Sequence, residues 1–132
     1  VFNDGPIKIV VGETFDELVS NNKNDVLLLF YSPKCKKCIN MLQKYGVLGE
    51  LMKDEEIEIA MIDVTANDVP REYKVSSLPS VYFVPFDTKK PEFVDAGVVT
   101  NVEDFVKVIA QKTVEELKQF DRNGNAKEKE EL

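Results

Sequence analysis

Val26-Leu27-Leu28-Leu29-Phe30-Tyr31-Ser32-Pro33-Lys34-Cys35-Lys36-Lys37-Cys38 sets the reading of the whole chain. Val26 to Tyr31 is apolar at every position, which suits a central strand covered on both faces. Ser32-Pro33 ends that run, because proline donates no N–H and disfavours helix in the residue before it. From about Cys35 to Met52, the residues Cys38, Met41, Leu42, Tyr45, Leu48 and Leu51 fall on one stripe of helical period. A buried strand therefore runs into a helix, and the first helical turn carries both cysteines of the chain.

Outward from this unit, strands and helices alternate. Asn3-Asp4-Gly5-Pro6 is a turn signal, and Ile7 to Val11 is a short β-branched strand. Thr14 and Glu17 match a capping box for a helix carrying Phe15, Leu18 and Val19, closed by a polar break at Asn21 to Asp25. Ile57 to Val64 and Val81 to Val84 read as further buried strands, with a short helical or turn segment at Asn67 to Tyr73 between them. Glu92 to Asp95 reads as an edge strand, and Asn101 to Phe120 as a final helix burying Val102, Phe105, Val106, Ile109, Val114 and Leu117. The order predicts one α/β domain over 7–120, with a mixed central sheet flanked by helices on both faces. Residues 1–6 read as a linker. From Asp121 onward only Ala126 and Leu132 are apolar, so 121–132 is expected to be a flexible charged tail.

Composition limits the chemistry. The chain has 132 residues, enough for a single domain. Its 17 basic and 24 acidic residues give a formal charge of −7, and only Arg71 and Arg122 carry guanidinium groups, which argues against a nucleic-acid partner. The six-residue run at Val26 to Tyr31 is far short of the roughly 20 residues that cross a bilayer. Histidine is absent, so Ser-His and Cys-His nucleophile pairs and histidine zinc sites are excluded, leaving thiols and carboxylates. With Val at position 1 and no basic-then-apolar leader, the chain reads as a processed product or a piece of something longer.

Cys35-Lys36-Lys37-Cys38 is the candidate site. At a helix amino terminus, unpaired N–H groups and the macrodipole favour a thiolate by about 0.3–2 kcal/mol. Lys34, Lys36 and Lys37 add positive charge around it. Cys35 is accordingly expected to titrate below free cysteine and act as nucleophile, with Cys38, one turn deeper, as the resolving thiol. A structural staple explains the pair less well, since closing so short a loop removes only about 2 kcal/mol of unfolded-state entropy. Two thiolates supply half of a zinc shell, so no metal is expected unless two chains share one. An idle thiol pair is the remaining alternative.

Together with the cysteine pair, Gly5-Pro6-Ile7-Lys8-Ile9-Val10-Val11-Gly12, Thr14-Phe15-Asp16-Glu17, Asp25 to Pro33, Asp63-Val64-Thr65-Ala66-Asn67, Tyr73-Lys74-Val75 and Leu78-Pro79-Ser80-Val81-Tyr82-Phe83 resemble the thioredoxin superfamily, and within it the last catalytic domain of endoplasmic-reticulum protein disulfide isomerases. The resemblance implies the thioredoxin fold and a cis peptide bond at Leu78-Pro79 whose backbone holds a substrate strand beside Cys35. It also implies thiol–disulfide exchange with unfolded or disulfide-bearing clients. No cofactor is implied beyond a Cys35–Cys38 disulfide that exchanges with glutathione or partner thiols. Lys129-Glu130-Glu131-Leu132 is similar to luminal retention signals, implying a retention receptor, the endoplasmic-reticulum lumen and further domains upstream.

This sequence departs from the family at the site itself. Lysines stand where the family has Trp before the first Cys and Gly-His between the two. The buried acid that takes the proton from the resolving thiol aligns with Leu29, and the Lys that accompanies it aligns with Met61. The Arg that enters the site before the last helix is missing. Resolution by Cys38 is therefore expected to be slow, and a chaperone-like or partner-binding module with vestigial exchange is the second reading.

Overall fold

The structure is a computed structural model and describes residues 7–95, 97, 99 and 101–127. The linker 1–6 and the retention-like Lys129-Glu130-Glu131-Leu132 lie outside the described residues.

Five strands form one sheet: β1 (Ile7–Val10), β2 (Asp25–Tyr31), β3 (Ile57–Asp63), β4 (Ser80–Val84) and β5 (Glu92–Val94), in the order β1-β3-β2-β4-β5. β3 runs parallel to both β1 and β2, whereas β2–β4 and β4–β5 are antiparallel. The two long helices are α1 (Lys36–Met52) and α2 (Val102–Lys112). As its uninterrupted apolar run requires, β2 lies at the centre and is buried from Asp25 to Phe30.

Alternation along the pleat sends Leu27 and Leu29 to one face, where Tyr45, Leu48 and Met52 of α1 meet Phe105 and Ile109 of α2. Val26, Leu28 and Phe30 point to the other face, against Phe15, Val19, Tyr73 and Tyr82. On the first face the fully buried Tyr45 hydroxyl lies 2.9 Å from the Leu27 carbonyl and 2.6 Å from that of Ala60, tying α1 to two strands at once. On the second, Tyr82 donates to the Lys74 carbonyl at 2.6 Å and accepts its N–H at 3.1 Å, fixing the chain just before Leu78-Pro79.

Three local expectations change. Thr14 does not open a helix. It closes a 3₁₀ turn (Gly12–Thr14) by accepting the Val11 N–H at 3.1 Å, and a π-helical turn (Asp16–Ser20) follows. In α1 the buried stripe ends on Met52, while Leu51 is 39% exposed. The last helix stops at Lys112 instead of Phe120, and Thr113 is extended at ψ 141°.

Charge, not apolar period, explains that stop. The buried Asp25 carboxylate accepts the N–H of Phe86 at 2.8 Å and of Val114 at 3.1 Å. Glu55, also buried, accepts those of Lys118 at 2.7 Å and Gln119 at 2.9 Å. The Arg122 guanidinium closes the helix end, donating to the carbonyls of Ala110 (3.2 Å), Thr113 (2.5 Å) and Val114 (3.2 Å). The N–H groups of Val114, Lys118 and Gln119 would otherwise have sought carbonyls four residues back along a helix.

The described chain is packed beyond the expected boundary at Phe120, so 121–127 is not the free tail its composition suggested. Phe120 bridges Ala126, Asp121 N–H donates to Asn125 at 2.9 Å, and Lys127 N–H donates to Gln119 at 2.8 Å. Gly124 makes the reversal possible at φ +83°, where a Cβ would stand 2.8 Å from Lys107 Cγ and 2.9 Å from its Cα.

Asp25→Ala leaves two backbone N–H groups without acceptors, each worth about 1–3 kcal/mol when buried. A loss of roughly 3 kcal/mol is expected, read as a lower urea midpoint at unchanged slope. Asp25→Asn keeps one acceptor and should cost about half as much.

Candidate active site

The site lies where β2 ends and β4 begins. Antiparallel register places Phe30 opposite Ser80, so the Leu78-Pro79 dipeptide reaches the same edge as the chain leaving β2 toward α1. Ser32, buried at that exit, shapes the turn: its carbonyl accepts the Cys35 N–H at 3.1 Å and its Oγ the Lys34 N–H at 3.2 Å. Cys35 is thereby set as the N-cap of α1, extended at φ −87° and ψ 117°, with its sulfur accepting the Cys38 N–H at 3.1 Å. Leu78-Pro79 is cis, and the Leu78 carbonyl oxygen stands 3.8 Å from Cys35 Sγ.

The two thiols are unlike. Cys35 is half-buried, whereas Cys38 is fully buried, and both are free. The Cys35 thiol is held below the ordinary cysteine value, first by a hydrogen bond from the Cys38 thiol. Partial burial opposes this; the N–H groups of Cys38 and Lys37 and the Lys37 charge add to it. Burial pushes Cys38 up to about 11, reinforced by its donated bond to Cys35. The partner thiol thus contributes more than the helix N–H groups, and of the three lysines expected to act, Lys37 is the one among the contributors. The spacing does hold that signal, since a Cys at the N-cap meets the side chain three residues on.

The remaining candidate residues are placed as follows. Lys34, Lys36 and Lys37 are exposed around the turn. Leu29 is fully buried and pairs in register with Met61 on one side and Val81 on the other, so Leu29 and Met61 are adjacent strand neighbours and both are apolar. A cleft of about 400 Å³ opens beside the thiols, bounded by Lys37, Asn40, Met41, Leu78, Pro79 and Phe93. Sequence reasoning missed Ser32, Met41 and Phe93. Phe93 is 58% exposed on an edge strand, and the adjacent apolar pair Phe93-Val94 could have flagged it, since neighbouring strand residues point to opposite faces and one of the two must face outward.

A family model described as thioredoxin matches residues 6–114. The chain belongs to the thioredoxin family. This thioredoxin domain is 48% identical over 106 residues to protein disulfide-isomerase A3 of Gallus gallus, covering 79% of this chain and 21% of that protein. It is 40% identical over 111 residues to protein disulfide-isomerase A4 of Homo sapiens, covering 83% of this chain and 17% of that one. The chain thus spans about a fifth of the length of the curated relatives it matches. Among solved structures, the first thioredoxin domain of mouse protein disulfide-isomerase A4 superposes with a TM-score of 0.66 at 27% identity, over 83% of this chain and 76% of that one. The Trx4 domain of ERdj5 gives 0.68 at 20% identity, over 82% and 96%, a likeness of fold alone. The thioredoxin fold expected from the motifs is the fold observed.

Proposed function

We propose that the domain exchanges thiols and disulfides in client polypeptides, with Cys35 attacking and Cys38 resolving. One observation carries this: a half-buried sulfur capped by an N–H at 3.1 Å stands one turn above a fully buried thiol. In reduction of a client, the Cys35 thiolate attacks one sulfur of the client disulfide. The Cys35–client bond forms, the client S–S bond breaks, and the second client sulfur leaves as a thiolate that takes a proton from water. Cys38 then loses its proton and attacks Cys35 Sγ, forming the Cys35–Cys38 disulfide and releasing the first client thiolate. Two electrons pass from the pair to the client; oxidation is the reverse. The direction depends on the couple's potential against a luminal poise of about −180 to −210 mV.

The polypeptide backbone of the client is held, on this reading, along Leu78-Pro79, with Lys34, Lys36 and Lys37 around the attacking sulfur. The endoplasmic-reticulum lumen is the compartment assigned, supported by the disulfide-isomerase relatives.

A specific observation favours slow resolution and keeps a partner-binding role in view as the second reading. Leu29 and Met61 offer no proton acceptor beneath α1, and burial, the first cause of the raised Cys38 value, persists in the mixed disulfide. The two half-reactions should therefore differ in pH dependence. Stopped-flow traces with a peptide disulfide are expected to show capture levelling off below the pH at which free cysteine does, near 8.5. The resolving phase should instead keep rising, by up to about tenfold per pH unit, beyond the pH at which capture has levelled off, because burial still holds the Cys38 thiol above ordinary cysteine in the mixed disulfide. A capture profile that follows free cysteine would remove Cys35 as an activated nucleophile. A pH-independent second phase would remove deprotonation of Cys38 as the limiting step.

A further inference from the structure

We infer that the site selects client cysteines flanked by acidic residues, an assignment of substrate class that rests on the proposed exchange reaction. The chain is acidic overall, with a formal charge of −7, yet three of the four residues from 34 to 37 are lysines and the fourth is Cys35. All three lysines are exposed, and among the described residues no ion pair engages them. The ion pairs present use Lys53, Lys112, Lys118 and Lys127, on other parts of the surface. The amino-terminal end of α1 is thus a cationic island on an anionic body.

The island adjoins the cleft that a client strand would enter. Lys37 and Asn40 of α1 line it together with the apolar Leu78, Pro79 and exposed Phe93. Asp95 is the acidic residue lining this cleft, and its Oδ1 is engaged by the Gly97 N–H at 2.9 Å. Within a Debye length of about 8–10 Å at physiological salt, a carboxylate next to the client cysteine meets ammonium groups, whereas a lysine there is repelled. The acidic body adds to the effect: it turns an anionic client toward this face and draws a cationic one elsewhere. Fields of this kind change association rates by about 10- to 10³-fold.

The test uses the full chain and two peptides, one with Glu and one with Lys on both sides of a single Cys, each carried as a mixed disulfide with the same neutral small thiol. Capture rates are divided by each peptide's own rate with free mercaptoethanol, which removes differences in intrinsic reactivity. At about 10 mM ionic strength the Glu peptide is expected to react at least tenfold faster, and at 0.5 M the ratio should fall to about twofold or less. Combined Lys34→Glu, Lys36→Glu and Lys37→Glu should reverse the preference. Because the readout is a ratio on one protein, a change in Cys35 thiolate content cancels from it. Equal rates at every salt concentration would overturn the inference while leaving exchange intact; no reaction with either peptide would overturn exchange itself. Should the triple variant misfold, the salt dependence of the native chain decides alone.

Discussion

Cys35→Ser is expected to slow capture of a peptide disulfide by at least on the order of 10³-fold, because a serine hydroxyl is almost wholly protonated near neutral pH and is no substitute for a thiolate. Folding should be unaffected, since the hydroxyl can still accept the Cys38 N–H that caps α1. Cys38→Ala should behave differently. Capture continues, and the Cys35–peptide adduct accumulates for want of a resolving thiol, visible as a mass increase by one peptide. The same change removes the Cys38 thiol as a hydrogen-bond donor, the largest influence holding Cys35 down, so the capture profile should move toward higher pH. Native-like rates from Cys35→Ser would eliminate the oxidoreductase and leave the partner-binding module.

Leu29→Glu should weaken the fold and quicken the chemistry together. Leu29 is fully buried between Met61 and Val81, with Met41 of α1 in the same core, so the carboxyl replaces a well-packed side chain. Loss of apolar burial and unpaired polar atoms should cost about 3–5 kcal/mol. The new group's pKa should rise by several units, since burial penalises its charged form. Such an acid, poised near neutrality, is suited to take the Cys38 proton, and positioned bases contribute roughly 10²–10⁴-fold. The resolving phase should accelerate by at least tenfold at pH 7 and lose its steep pH dependence, while capture changes little. Because folded-state pKa exceeds the unfolded value, the variant's stability deficit should be smallest below about pH 4 and should widen as pH rises through the folded value. An unchanged resolving phase in a folded variant would show that proton transfer at this position does not limit the reaction.

How legible the site was depended on distance along the chain. Val26 to Tyr31 and the cysteines at the start of the helix are local signals, and both stand where the pattern put them. The approach of Leu78 to Cys35 crosses 43 residues and follows from β2–β4 register, which came from the resemblance and not from periodicity. The end of α2 was misread because apolar spacing continues through Val114 and Leu117, while the side chains that divert the backbone, Asp25 and Glu55, lie 89 and 63 residues away from the N–H groups they hold. A pattern of hydrophobicity has no means of recording a carboxylate arriving from another part of the chain. Thr14 shows the same limit at short range: the same hydroxyl can serve the turn before it or the helix after it, and only the backbone path decides.

The Arg122 contacts bear on how this domain is to be cut and joined. A cloning boundary set at Phe120, where regular helix-like spacing fades, would discard the guanidinium that plugs three carbonyls at the close of α2. Expression vectors, fusion partners and protease-resistant cores should therefore carry the chain at least through Lys127, whose backbone N–H still holds Gln119 in place.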